Sequence, residues 1–311
     1  MKTGRGLTRL GLALIGVFLM LPTPPVEAAR ATFGPGDVFV SVQSPLQGGL
    51  VQWRNPDGTL NSVLAGAVPG PVEGMAFDAA GNLYVTHWCA TIGLTSACTV
   101  GNTVEKFTAS GVSQGTVGSG YDCNPHALTF DAAGNLYVGQ ADCTGQIVEL
   151  SVGQPPATYA VAAENRGSFW VDIAPDGCTI FYTSWGPNVK RFNACTNTQL
   201  ADFNVAPMPG GETQGLRVLA DGGVLVSSGA VMARLDATGA LVQTYSVATG
   251  EAQYWAGLDL VGDGTFWAIN YYTSNVYKLD LTTGAVLASF NTGTAAQTAV
   301  DVRVSHAAAC R

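Results

Sequence analysis

Along most of the chain, apolar and polar residues alternate over short stretches that end at an aspartate and a glycine. Residues 74–85 read GMAFDAAGNLYV and residues 127–138 read ALTFDAAGNLYV. Each stretch predicts a strand, a tight turn and a second strand, because period-two alternation suits a half-buried strand. The glycines Gly81, Gly134, Gly177, Gly222 and Gly264 supply the positive φ that such turns need. Weaker copies begin at Trp170, Gly215 and Gly257. Aligned on Phe77, Phe130, Ile173, Val218 and Leu260, the copies are spaced by 53, 43, 45 and 42 residues. After each copy comes a third strand with apolar ends and a polar middle: Val104–Phe107, Ile147–Leu150, Val189–Phe192, Met232–Leu235 and Val276–Leu279. A more variable fourth strand completes each unit.

Four antiparallel strands per period of about 40–50 residues predict a β-propeller. Five inner strands lie inside the chain, and its two ends supply a sixth blade. Residues 37–44 read as a second strand with no first strand before them, and Leu50–Arg54 as a third. Ala299–Val304 reads as a first strand with nothing after it. The expectation is an all-β, six-bladed propeller. Its ring is closed by pairing the N-terminal strands with the C-terminal one, which also covers two sheet edges. The aromatics Trp170, Phe181, Phe192, Phe266 and Trp267 follow the strand period and are expected between blades.

Composition narrows the function. The formal charge is −8, with 14 Lys+Arg against 22 Asp+Glu, and only 12% of residues are charged. An acidic chain with four lysines is not expected to bind nucleic acid. Lys2, Arg5 and Arg9 precede an apolar run from Leu10 to Leu21, which is too short to span a bilayer. With Val26 and Ala28 at the −3 and −1 positions, it reads as a signal peptide cut after Ala28. Residues 29–311 would then form one propeller domain, secreted or periplasmic, without a membrane span and monomeric.

Export to an oxidising compartment predicts disulfides among the seven cysteines. In a blade with strands a to d, the a–b and c–d turns lie on one face of the ring, and the b–c and d–a loops on the other. Cys178 and Cys195 fall on the first face of one blade. Cys89 and Cys98 share a b–c insertion. Cys123 and Cys143 lie in neighbouring loops on the same face as that insertion. The expected pairs are Cys89–Cys98, Cys123–Cys143 and Cys178–Cys195, leaving Cys310 free. The four cysteines on the second face allow three connectivities.

The b–c and d–a loops rim the channel mouth, where a small ligand or a protein partner is expected. Candidate binding residues there are His87, Asp142, Arg166, Trp185, Glu212, Gln214, Trp255 and Tyr271. Glu73 and His126 hold equivalent positions at the starts of successive inner strands. A carboxylate and an imidazole facing one axis could hold a divalent ion or move a proton.

The Gly-(Leu/Met)-x-Phe/Val, Asp-x-x-Gly-Asn-Leu-Tyr-Val cycle resembles the NHL-type repeats of six-bladed propellers. That superfamily includes the regucalcin/gluconolactonase-like proteins and the streptogramin lyases. The resemblance implies the fold over nearly the whole chain past residue 28, and it implies two possible chemistries. Glu73-Gly74 stands near the place of a metal-binding Glu-Gly-Pro in gluconolactonase-like proteins, with Met75 in place of the proline. The asparagines and aspartate completing such a site are not evident, and the histidine–glutamate set of the lyases is not matched residue by residue. The leading reading is therefore a non-catalytic binding propeller. The alternative is a metal-dependent lactonase or lyase with Glu73 and His126 at its centre and Asp142 and Glu212 in support.

The exported chain is expected to begin at Ala29. N-terminal sequencing of protein secreted by a bacterial host checks this, and an intact Met1 on the exported material would refute it.

Overall fold

The computed structural model describes Met1 and residues 31–43, 49–66, 68–90, 98 and 100–306. The signal segment with its cut after Ala28, Ser44 and Cys310 lie outside the described residues. Blade 1 contains β1 (Val38–Val42), β2 (Leu50–Arg54) and β3 (Leu60–Leu64). Blade 2 contains β4 (Val72–Phe77), β5 (Leu83–His87), β6 (Thr103–Phe107) and β7 (Ser113–Val117). Blade 3 is β8 (Pro125–Phe130), β9 (Leu136–Gln140), β10 (Ile147–Leu150) and β11 (Ala157–Tyr159). Blade 4 is β12 (Trp170–Ile173), β13 (Thr179–Thr183), β14 (Lys190–Asn193) and β15 (Thr198–Gln199). Blade 5 is β16 (Thr213–Val218), β17 (Val224–Ser228), β18 (Val231–Leu235) and β19 (Leu241–Tyr245). Blade 6 is β20 (Trp255–Leu260), β21 (Thr265–Asn270), β22 (Asn275–Asp280) and β23 (Val286–Asn291). The last strand, β24 (Ala299–Val304), pairs with β1 and becomes the innermost strand of blade 1.

The result is the expected six-bladed propeller, closed by its two ends. The inner strands β4, β8, β12, β16, β20 and β24 touch in sequence around the axis, and β24 returns to β4. Apolar side chains fill the wedges between blades. Ala76 and Val104 of blade 2 meet Leu128, Val138 and Val148 of blade 3, for example. Each large side chain buried this way contributes about 1.5–3 kcal/mol.

The repeat residues have visible local work. Asp78 accepts hydrogen bonds from the N–H groups of Ala80 and Asn82, holding the turn in which Gly81 takes φ +79°. Gly74 serves packing: a Cβ there would lie 2.2 Å from the carbonyl oxygen of His126 in the next blade. Such contact brings the inner strands together, and hydroxyls then latch them. Thr86 Oγ1 donates to the His126 carbonyl at 2.6 Å, Thr183 Oγ1 to the Gln214 carbonyl at 2.8 Å, and Ser227 Oγ to the Ala256 carbonyl at 2.6 Å. Each latch ties a second strand to the inner strand of the following blade.

The expected disulfides join Cys89 to Cys98, Cys123 to Cys143 and Cys178 to Cys195. Among the described residues no helix is long and apolar enough to cross a membrane.

Thr183→Val keeps the shape of a fully buried side chain. It strands the Gln214 carbonyl and the Trp170 N–H, which donates to Thr183 Oγ1 at 3.2 Å. The expected loss is about 1–3 kcal/mol, read as a Tm lower by roughly 2–12 °C in a thermal melt. An unchanged Tm would show that the latch is dispensable.

Candidate functional site

Five of the inner strands, β4, β8, β16, β20 and β24, carry one extra residue relative to their partners, a β-bulge near the strand start. A bulge turns a side chain that would otherwise face away from the axis. The second residue of each inner stretch therefore faces the channel mouth: Glu73, His126, Gln214, Ala256 and Val300, with Phe169 in the corresponding place of blade 4. These six form the floor of a cavity of about 450 Å³, within the usual range for small-molecule pockets.

Deeper in the channel the charge pattern changes. Asp172, Arg217, Asp259 and Arg303 come from successive blades and alternate in sign. Arg217 Nε donates to Asp259 Oδ1 at 2.6 Å, Arg303 lies 3.3 Å from Asp301, and the Val304 N–H donates to Asp259 Oδ2 at 2.8 Å. The Met75 N–H donates to Asp301 Oδ2 at 2.9 Å. Apart from the half-buried Asp172, these groups are buried. Arg217 and Asp259 pair, whereas burial pushes the Asp301 carboxyl well above the usual carboxylate range, against the pull of Arg217.

At the floor, Glu73 and His126 are each 1% exposed, with Glu73 Oε2 3.6 Å from His126 Nδ1. Gln43 donates its amide to Glu73 Oε1. Burial pushes the Glu73 carboxyl well above the usual carboxylate range, against the opposing pull of Gln43 and Arg166. Burial, reinforced by the Arg166 charge, holds His126 well below the ordinary imidazole value. Burial thus pushes both groups of the pair toward their uncharged forms. The His126 ring stacks on Phe169 at 3.7 Å, and neither of its nitrogens has a hydrogen-bond partner.

Arg166 forms one wall. Its guanidinium lies 4.9 Å from the ring centres of Trp88 and Trp185 and 5.3 Å from that of Phe169. Asp142 fixes it by accepting from Nε at 3.1 Å and also from Nη2. Asn124 then steadies Asp142, donating to its Oδ2 at 2.7 Å while accepting from the Cys89 N–H at 3.0 Å. Two disulfides, Cys89–Cys98 and Cys123–Cys143, are thus continuous with the groups that aim Arg166. Trp185 holds φ +53°, in the left-handed region that costs a bulky residue of order 1–3 kcal/mol. The Nε1 atoms of Trp88, Trp170 and Trp185 are buried without hydrogen-bond partners.

The opposite wall is tyrosine. Tyr254, Tyr271 and Tyr272 have ring centres 5.3–6.4 Å apart. Tyr254 donates to Glu212 at 2.8 Å and accepts from Gln214 Nε2 at 2.9 Å. Burial first, and then the Glu212 bond, pushes the Tyr254 phenol up.

Of the sequence candidates, Glu73, His126, Arg166, Trp185, Glu212, Gln214 and Tyr271 line the cavity. Asp142 stands behind the wall as the holder of Arg166. Two expectations need correction. His87 lies apart between blades 1 and 2, where its Nε2 meets Glu105 at 3.1 Å and its Nδ1 meets the Gly70 carbonyl at 3.2 Å. As the last residue of β5, it turns toward β6 rather than toward the axis. Trp255 is fully buried in the core shared by blades 5 and 6, with Nε1 donating to the Ala230 carbonyl at 3.2 Å. It is the first residue of β20, one place before the channel-facing position. Lining residues that sequence reasoning passed over include Gln43, which falls near the end of the strand expected at 37–44, Val300, and Trp170, expected only between blades.

The donor set is a poor match for a resident metal. Among the described residues no group of three or more His, Cys, Asp or Glu side chains could hold an ion. Glu73 and His126 alone fall short of the six to eight oxygens of a calcium site.

No protein-family model and no curated protein matches the chain. Solved structures match its fold. One is a protein of unknown function from Bacteroides caccae, with a TM-score of 0.65 at 11% identity, covering 86% of this chain and 98% of that one. A streptogramin B lyase gives a TM-score of 0.59 at 12% identity, covering 87% and 89%. A virginiamycin B lyase from Staphylococcus aureus gives 0.55 at 12%, covering 74% and 73%. Identities this low establish shared architecture only.

The Glu73 shift has a definite sign. A carboxyl whose folded pKa is raised stabilises the fold below its unfolded value of 4.5 and loses that contribution as pH rises toward the folded value. Glu73→Gln removes the loss while keeping an amide to meet Gln43. The Tm of the variant is expected to exceed that of the parent increasingly from pH 5 to pH 8. A gap that stays constant across that range would mean that Glu73 ionises normally.

Proposed function

We propose that this protein is an exported, non-catalytic propeller that binds a small molecule in the blind cavity at its channel mouth. The observation that carries this reading is the ordered wall of the cavity, in which Arg166 is held by Asp142 and lies against the rings of Trp88, Phe169 and Trp185. A ligand bearing acceptor oxygens and a flat apolar part would meet the guanidinium and cover the rings. The export segment and the three disulfides are consistent with work outside the cytoplasm. No resident cofactor is needed for this reading.

A second reading, an acid–base enzyme of the lactonase or lyase type, is favoured by one observation. Glu73 and His126 are opposed and desolvated, and both imidazole nitrogens are unpartnered. In that reading His126 takes a proton from a bound substrate and Glu73 returns one. The fold shared with a streptogramin B lyase makes a B streptogramin the first compound to screen. Turnover that disappears in His126→Ala would move the protein into this class.

The binding reading is tested with the aromatic sulfonate 1-anilinonaphthalene-8-sulfonate. Saturable, one-site binding with enhanced emission is expected, weakened at least about tenfold by Trp185→Ala while the melting curve persists. Binding that ignores Trp185→Ala, or no binding at all, would overturn it.

A further inference from the structure

The two walls of the cavity differ in the kind of group they can satisfy. On the side of blades 2 to 4, Arg166 has spent Nε and Nη2 on Asp142, and its Nη1 has no partner among the described residues. Beside it lie the rings of Trp88 and Trp185. This wall offers a guanidinium and aromatic faces. On the side of blades 5 and 6, Tyr254, Tyr271 and Tyr272 cluster beside Glu212. Tyrosine faces attract a cation through the ring quadrupole, and the Glu212 carboxylate adds a charge to meet it.

Ligands of a single charge fit only half of this surface. An anion would satisfy Arg166 but face Glu212 across the mouth. A cation would satisfy the tyrosines but face Arg166. Between the walls, Phe169, Ala256 and Val300 give the floor an apolar patch, and burial pushes the Glu73 carboxyl up and the His126 imidazole down, each toward its uncharged form. The floor therefore competes little for either end of a dipolar ligand.

We propose that the cavity selects a zwitterion with separated charges, of the class of a short peptide with both ends free, its carboxylate at Arg166 and the adjacent indoles and its ammonium at Tyr254, Tyr271 and Glu212. An aromatic or aliphatic side chain of the ligand would rest on Phe169. The inference rests on the small-ligand reading above and adds to it the chemical class and the orientation.

The test compares four forms of one dipeptide, Phe-Ala, on the unaltered protein by tryptophan fluorescence and calorimetry: free, N-acetylated, C-amidated and doubly capped. The free form is expected to bind tightest, with each cap costing at least about tenfold. Arg166→Gln should erase the cost of amidation while keeping that of acetylation, and Glu212→Gln should do the reverse. Because the capping series needs no variant, a folding defect in Arg166→Gln leaves the proposal testable. Caps that change affinity less than twofold would overturn it, as would cap effects that persist in both variants. Should the anilinonaphthalene probe bind in a Trp185-dependent way while no dipeptide form displaces it, the small-ligand reading stands and the zwitterion falls. Should neither probe nor peptide bind, both fall.

Discussion

Six inner strands must approach one axis closely enough to close a ring, yet leave room at one end. That steric constraint governs the rest of the molecule. Gly74, Gly215 and Gly257 sit where a Cβ would press on the backbone of the next inner strand. The close approach exposes carbonyls between blades that water cannot reach, and Thr86, Thr183 and Ser227 answer them with hydroxyls. The ring is then held by directional bonds as well as by apolar wedges. Pairing β24 with β1 completes the sixth blade, so the last strand is not left unpaired.

The same ring sorts polar groups by depth. In the channel, Arg217 and Asp259 pair, while burial pushes the Asp301 carboxyl up. At the floor the partners run out: His126 and Phe169 stack, and Glu73 finds only an amide and an imidazole. Desolvation dominates there, pushing the carboxyl up and the imidazole down. At the rim, where solvent returns, Arg166 and Glu212 stand on opposite sides and make the mouth polar across its width.

Much of the fold was legible in the chain, because each blade repeats one strand–turn–strand pattern and the turn glycines mark its phase. Glu73 and His126 were also legible, through their equivalent places before GMAFD and ALTFD. What alternation could not give was which side of an inner strand a residue faces. The bulge inserts one residue between the channel-facing second position and the rest of the strand, so parity counted along the strand misplaces Glu73. Trp255 was misjudged for this reason, being one place too early. His87 was misjudged because its partner, Glu105, lies 18 residues on in a neighbouring strand, and nothing in a linear pattern announces that pairing. Gln43 reaches the site only because the ends of the chain meet.

The loops of the mouth face a problem that the blades do not, since they carry the aromatic wall without a sheet to hold it. Trp88 stands immediately before one half-cystine, and Asp142 immediately before another. Asn124, held at φ +49°, connects the two loops by bonding the Cys89 N–H and the Asp142 carboxylate. A wall assembled on binding would cost the ligand about 0.5–1.5 kcal/mol for each side chain ordered. Here Arg166 is already ion-paired and sandwiched, and Trp185 already bears its backbone strain. The disulfides and the Asn124 bridge shift that ordering cost from binding to folding. A preformed wall also presents the Arg166 guanidinium and its flanking rings before any ligand arrives.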